Sequence, residues 1–395
     1  MKILHTVEFY SPSVGGAQEV VKRISEQLAG RGHSVTVATT KLPRPAGQIA
    51  GVDIESFDVS GNAVRGVRGE ADRYRDFLLD GDFDVMMNYA ALQWATDLVF
   101  PLLDRIRYAK VLVPCGFSEL YNPQYRDYFR ELPAALGRYD GLILHGDSYR
   151  DADYMRRHNV GRTAVIPNGA SEAEFRDPDR SFRRRHGIAE DALLLLTVGS
   201  HTGMKGHGLA IDAFRQARIG PAVLVLIGNT LGGSGCLPRC RSRAAWTNLL
   251  GMRRKRVLVF DPPRAEVVAA FHAADLFVFG SNLECSPIVL FEAMASRTAF
   301  ITTACGNAEE IVRWSGGGRV VATRKNPDGS VDASAGDMAR AIETLAHDPA
   351  ERLRLAEAGR RAWQQRFTWE NIAVQYERSY QAALEACVAH ARRGA

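Results

Sequence analysis

Residues 193–206 read LLLLTVGSHTGMKG. The run Leu193–Val198 is apolar and short, as a buried strand is. Gly199, Gly203 and Gly206 punctuate the polar loop that follows, and Leu209, Ala210, Ala213, Phe214 and Ala217 then fall on one helical face. AVLVLIG at 222–228 supplies the next strand, so the stretch is a strand–loop–helix–strand unit. The start of the chain repeats this plan. KILHTVEF (2–9) is strand-like and SPSVGG (11–16) is a turn. Val20, Val21, Ile24 and Leu28 share a helical face, Gly30 and Gly32 end that helix, and SVTVAT (34–39) returns as a strand.

Eight further apolar runs bounded by turn residues fill the two halves: DVMMNY, KVLVPC, GLILHG and TAVIPN in the first, RVLVF, DLFVFG, AFITTA and GRVVAT in the second. Continuous runs alternating with helical stretches predict an α/β fold of two Rossmann-like domains, each a doubly wound parallel sheet. At 395 residues the chain exceeds what one core usually organises. The basic, turn-prone DPDRSFRRRHG (177–187) reads as the connector, giving domains at 1–175 and 176–374. The amphipathic WENIAVQYERSYQAALEACVAH predicts a helix, over about 375–395, that crosses back onto the first domain.

Apolar residues make up 46% and charged residues 24%, as in a globular protein. A formal charge of +5 from 50 basic and 45 acidic residues favours anionic ligands but is too balanced for a dedicated nucleic-acid binder. MKILHTVEFY lacks the unbroken apolar core of a secretion signal, and no run approaches the roughly 18 residues that span a bilayer. A cytoplasmic location with reduced thiols is expected. Cys236 and Cys240 in GCLPRC are the one close cysteine pair, and two ligands without a second pair leave a zinc site incomplete.

In open α/β sheets ligands gather at the carboxyl ends of the strands, which makes four loops informative. Gly15 and Gly16 in SPSVGGAQ let backbone approach a ligand at a helix start, although a plain tight turn reads equally well. Their spacing is not G-x-G-x-x-G, which disfavours a nicotinamide cofactor. Lys205, with Ser200 in the same loop, offers a point charge beside helix N–H groups, a clamp for diphosphate; a solvated surface lysine is the plain alternative. In ECSPIVLFE (284–292), Ser286 as N-cap and Pro287 as the first helical residue predict a helix start. The N–H groups of Ile288, Val289 and Leu290 would then face a phosphate, with Glu284 and Glu292 as acceptors for hydroxyls on either side. TACGNAEEI (303–311) places Gly306 near a ligand at a fourth strand–helix junction, or is a simple connection.

Together these residues resemble the retaining GT-B glycosyltransferases, specifically glycosyltransferase family four, over nearly the whole chain. The pattern E-x7-E stands as Glu284 and Glu292, the glycine–lysine element as VGSHTGMKGH, the PNG element as Pro167, Asn168 and Gly169, and the C-terminal tryptophan motif as FTWENIA. The resemblance implies two Rossmann-like domains facing a cleft, with donor binding mainly in the second and acceptor binding in the first. It implies Lys205 at the diphosphate, Glu284 at the transferred sugar and Glu292 at the ribose, with no metal or other cofactor needed. The expected activity is transfer of a sugar from a nucleotide diphosphate sugar to an acceptor hydroxyl, in glycan, polysaccharide or glycoconjugate synthesis. A glycan, a lipid-linked molecule or a small molecule would be the acceptor.

Two positions depart from the family pattern. Ser200 stands where an arginine often follows the glycine, and Cys115 in VLVPCGFS stands where a histidine or arginine often approaches the reacting sugar. Cys115 has no evident base to make it a nucleophile, and His145 and His207 are nearby polar candidates. A sugar-nucleotide epimerase of the same architecture and a non-catalytic nucleotide-sugar-binding protein are the competing readings. The stretch 229–256, with PRCRSRAAW and MRRKR, reads as an insertion or mobile loop that is either a solvated basic surface or a peripheral contact with the inner membrane face.

Overall fold

The computed structural model describes residues 1–43, 48–230, 233, 235–251 and 254–394, without the side chains of 391–394. It divides into two compact units, Met1–Asn168 with Trp369–Ala395, and Gly169–Thr368.

The first unit is built on seven parallel strands. In sheet order they are Val52–Phe57, Ser34–Thr40, Lys2–Thr6, Val85–Tyr89, Ala109–Val113, Gly141–Leu144 and Thr163–Val165. Ile3 pairs in register with both Val35 and Val85, so the first strand of the chain lies inside the sheet. Chain order runs outward from it in both directions. The switch point therefore falls between Lys2–Thr6 and Val85–Tyr89, where such sheets open a crevice at their carboxyl ends. Helix Gly16–Gly30 buries Val20, Val21, Ile24 and Leu28 against this sheet, the face its spacing predicts.

The second unit repeats the arrangement with six parallel strands: Lys255–Phe260, Ala222–Ile227, Leu193–Val198, Leu276–Phe279, Ala299–Thr302 and Gly318–Val320. Its switch point lies between Leu193–Val198 and Leu276–Phe279. All eight apolar runs of the sequence contain a sheet strand. The edge strand VDIESF and the antiparallel ribbons Val59–Asn62/Gly66–Gly69 and Thr323–Lys325/Val331–Ala333 were not legible. Asp53 and Glu55 break the apolar run of the first, and the others are three or four residues long.

The boundaries fall at 168/169 and 368/369, where the sequence reading places 175/176 and 374/375. Phe175 explains the first shift: it is buried against Phe271, with ring centroids 6.1 Å apart, inside the second unit. The basic connector is likewise folded into that unit. Phe182 is fully buried, and Arg183 donates to Asp275 at 2.7 Å and to the Ala192 carbonyl at 2.9 Å. Helix Trp369–Gly394 packs onto the first unit through Ile372, Tyr376 and Tyr380, and Tyr380 Oη meets His5 Nε2 at 2.9 Å. The stretch 229–256 is not a loop. It contains helix Leu237–Leu250, whose Cys240, Ala244 and Thr247 form a buried stripe at i, i+4 and i+7 that the surrounding arginines obscure; Leu231, Gly232, Ser234, Met252 and Arg253 lie outside the described residues.

Candidate active site

In the second unit, three loops at the switch point are stitched together by backbone. The Met204 carbonyl accepts from Asn282 N–H at 2.8 Å and from Ser281 Oγ at 3.0 Å. Gly206 has φ +68, and a Cβ there would meet the Gly280 carbonyl oxygen at 1.9 Å, so only glycine lets the lysine loop lie on the strand end. Gly306, with φ +58, presses on the other side: its Cβ would stand 2.4 Å from the Cys285 carbonyl oxygen. Asn307 N–H donates to that same carbonyl at 3.0 Å. The lysine loop, the Glu284 loop and the Gly306 loop thus form one surface, as the sequence reading requires of a shared site.

On it, Lys205 Nζ donates to Glu284 Oε1 at 2.6 Å, and Ser281 Oγ lies 3.0 Å from the same oxygen. Helix Ile288–Ala295 begins beside them. Its cap differs from expectation: Pro287 occupies the N-cap position, Ser286 precedes it, and no side chain caps the helix. Proline at N-cap leaves its carbonyl to accept from Leu290 N–H at 3.2 Å, so Leu290 does not face a ligand; Ile288 and Val289 carry the first-turn amides that a helix leaves without intrahelical partners. Ser200 is half-buried and brings no charge to the loop.

Glu292 is 5% exposed, and its Oε1 accepts from Arg264 at 2.5 Å. Arg264 also donates to Glu174 at 2.7 Å. Burial lowers the arginine's pKa, but the two carboxylates outweigh it and hold the guanidinium above its ordinary value. The sequence reading missed Arg264. It opens helix Arg264–Ala273 directly after strand Lys255–Phe260, the same strand–loop–helix position that flagged Lys205, and lacked only a glycine to advertise it.

In the first unit, a cavity of about 340 Å³ lies at the switch point. Glu8, Gln18, Asn62, Arg65, Gln93 and Glu119 are among its polar walls. Glu8 has its carboxyl pKa raised, by burial first and by Asp97 second. Gly15 and Gly16 open the helix that carries Gln18; Gly15 is extended at φ 177, and Gly16 has open space where a side chain would stand. Cys115 and His145 are not among the residues lining the cavity. They belong to a neighbouring cluster: Tyr89 Oη lies 2.9 Å from His145 Nε2, and Cys115 Sγ lies 3.9 Å from Tyr89 Oη. His145 Nδ1 is 3.0 Å from the Ile166 carbonyl, which can only accept, so Nδ1 carries the proton and Nε2 accepts from Tyr89. Burial pushes the His145 pKa down to about 4, keeping the ring neutral. Of the residues expected near acceptor or sugar, Gly306 alone lies with the Lys205–Glu284 pair in the second unit.

The family model described as glycosyl transferases group 1 matches residues 178–362, the segment that holds Lys205, Arg264, Glu284 and Glu292. The chain is 31% identical to D-inositol 3-phosphate glycosyltransferase of Geodermatophilus obscurus, over 59% of this chain and 50% of that one. It is 26% identical to lipopolysaccharide 1,2-N-acetylglucosaminetransferase of Salmonella typhimurium, over 60% of this chain and 61% of the relative. The chain therefore matches only half to three fifths of these relatives' length. The fold matches sucrose-phosphate synthase of Thermosynechococcus elongatus with a TM-score of 0.79 and 20% identity, covering 98% of this chain and 99% of that one. It matches Anabaena HepE in complex with UDP with a TM-score of 0.72 and 17% identity, covering 97% and 100%. The fold is thus of the GT-B class, two Rossmann-like units, and residues 178–362 of the second match the family of glycosyl transferases group 1.

Proposed function

We propose that the chain transfers a glycosyl group from a nucleotide diphosphate sugar to an acceptor hydroxyl, with retention at the anomeric carbon. The observation that carries this reading is the Lys205–Glu284 pair, 2.6 Å apart beside the start of helix Ile288–Ala295. An ammonium and open first-turn amides suit a diphosphate, and the adjacent carboxylate suits sugar hydroxyls. Lys205 has three donors, so it can hold a phosphate oxygen while keeping Glu284 aimed. Glu292 keeps its second oxygen for a ribose hydroxyl while Arg264 fixes its orientation. The relatives are named as transferases, which does not favour an epimerase or a non-catalytic binder.

In the reaction, the bond between the anomeric carbon and the diphosphate oxygen breaks as the acceptor oxygen bonds to that carbon on the same face. The acceptor proton passes to a donor phosphate oxygen, and the nucleoside diphosphate leaves. Charge grows on the leaving oxygen, where Lys205 and the helix start stabilise it, so the reaction centre needs no metal. The cavity of the first unit is the proposed acceptor site, its carboxylates and Asn62 suited to hydroxyls.

We place the reaction in the cytoplasm, at a membrane face that carries a lipid-linked acceptor. No described helix is long and apolar enough to cross a membrane. Helix Leu237–Leu250 instead exposes Trp246 (63%), Leu249 (72%) and Leu250 (61%) toward its end and Arg239 and Arg241 toward its start, a pattern suited to anionic lipid. The test is a thermal-shift panel of UDP-, GDP-, ADP- and dTDP-sugars followed by transfer assays on glycan and lipid-linked acceptors. One donor should stabilise the fold by mass action and be turned over only with an acceptor. Stabilisation by none of them, or turnover of the sugar without any acceptor, contradicts the proposal.

A further inference from the structure

Beneath the lysine loop lies a cluster that the proposed reaction does not use. His201 in the loop, His207 at the start of helix His207–Gln216, and Cys236 and Cys240 at the start of helix Leu237–Leu250 place one ligand atom each within 4.8 Å of one another. The histidines are 1% and 2% exposed, and Cys240 is 2% exposed. The sequence shows the two cysteines as an incomplete set. The fold supplies the missing pair.

The distances are those of a tetrahedron. Zinc bonds of about 2.3 Å to sulfur and about 2.05 Å to nitrogen give tetrahedral edges of about 3.8 Å between sulfurs, about 3.6 Å between sulfur and nitrogen and about 3.3 Å between nitrogens. Cys236 Sγ and Cys240 Sγ are 3.7 Å apart. Cys236 Sγ stands 3.4 Å from His201 Nδ1 and 3.8 Å from His207 Nδ1, and the two Nδ1 atoms are 3.0 Å apart. In a hydrogen-bonded cluster one Nδ1–H donates to the other Nδ1, so the two rings must take opposite tautomers. A cation at the centre lets both rings take the same tautomer, with Nδ1 as ligand and Nε2 protonated.

The surrounding backbone is shaped to hold the four together. Cys236 N–H donates to the His201 carbonyl at 2.9 Å, and His201 N–H donates to the Asn229 carbonyl at 2.7 Å. Gly235 has φ +47, and a Cβ there would stand 1.6 Å from the His201 carbonyl oxygen. Cys236 and Cys240 are four residues apart at the helix start, hence on one face.

We propose that His201 Nδ1, His207 Nδ1, Cys236 Sγ and Cys240 Sγ bind one zinc ion in a closed, four-coordinate structural site. On binding, the two thiols release their protons to solvent, and the two thiolates neutralise the dication in the buried setting. The set leaves no open position, so the ion takes no part in glycosyl transfer. Its role is mechanical: His201 and His207 bracket Lys205, and the ion would tie that loop to helix Leu237–Leu250.

Elemental analysis of protein purified from zinc-replete culture should find about one zinc per chain. The double variant Cys236→Ser/Cys240→Ser should lose it, and Cys387→Ser, in the other unit, should keep it. Should the double variant fail to fold, the wild-type protein still decides. Cobalt exchanged for zinc should show thiolate-to-cobalt charge transfer and the intense visible bands of a tetrahedral centre, and chelation should lower Tm until zinc is restored. Wild-type protein that carries no zinc and gives no tetrahedral cobalt spectrum overturns the proposal. So does a mass lower by two hydrogens with Cys236 and Cys240 joined as a disulfide.

Discussion

The two units share one plan, a parallel sheet whose chain order reverses beside its first strand, yet their switch points are furnished differently. In the second unit the loops carry opposed charges at hydrogen-bond distance: Lys205 with Glu284, and Arg264 with Glu174 and Glu292. In the first, the strand ends hold the neutral series Cys115, Tyr89 and His145, next to a cavity with mixed polar walls. Paired charges at a helix start suit one invariant group, a diphosphate. A roomy cavity of neutral and carboxylate acceptors suits hydroxyls, whose placement differs from one acceptor to the next.

The sharpest break of this contrast is Lys205→Ala. Losing a preorganised cation at the leaving group costs about 3–4 kcal/mol of transition-state stabilisation, so kcat should fall by about a hundredfold or more. Steady-state kinetics with a saturating donor check this, and a fall of less than about tenfold would remove Lys205 from the leaving-group role.

The first unit should answer to pH through His145. The His145 pKa is lowered by burial to about 4, against an ordinary 6.5. Between those values the unfolded chain binds more protons than the folded one, so stability is fully present above about pH 6.5 and falls as pH drops toward about 4. Its contribution is up to about 3 kcal/mol. Urea unfolding across this range should show the decline, and His145→Gln should lessen it, with buried His5 and His207 contributing the remainder. An unchanged slope would mean that the ring titrates normally.

Arg264→Ala tests the charged side through stability. It leaves Glu292, 5% exposed, without its nearest cation, and because the arginine is itself partly solvated the expected loss is about 2–3 kcal/mol. Adding Glu292→Gln should recover much of that loss, a coupling that a double-mutant cycle reads directly. The smallest effect is expected at Gly306. Alanine at φ +58 with a Cβ 2.4 Å from the Cys285 carbonyl oxygen should cost about 1–2 kcal/mol and shift the Glu284 loop, raising KM for the donor.

How legible these regions are in the sequence follows from what each depends on. Buried parallel strands must be apolar throughout, so runs such as LLLLTV and AVLVLI announce themselves, and glycines at close backbone approaches mark the Lys205 and Gly306 loops. Glu284 and Glu292 are visible because they flank a helix start. Arg264 and His201 are not, since their roles come from partners distant in the chain: Arg264 meets Glu174 across 90 residues, and His201 meets Cys236 across 35. Helix Leu237–Leu250 is hidden for another reason, its narrow buried stripe lying among arginines that read as loop. Ser286 misleads because the chain gives the N-cap position to Pro287.

The central claim is that Lys205 and the start of helix Ile288–Ala295 grip the diphosphate of the donor. The most direct test is calorimetric titration of wild-type and Lys205→Ala protein with the nucleoside diphosphate that binds best among UDP, GDP, ADP and dTDP, beside its parent nucleoside. The diphosphate should bind the variant at least about tenfold more weakly, a loss of about 1.4 kcal/mol, while the nucleoside binds both proteins alike. Equal diphosphate affinity in the two proteins would contradict the account.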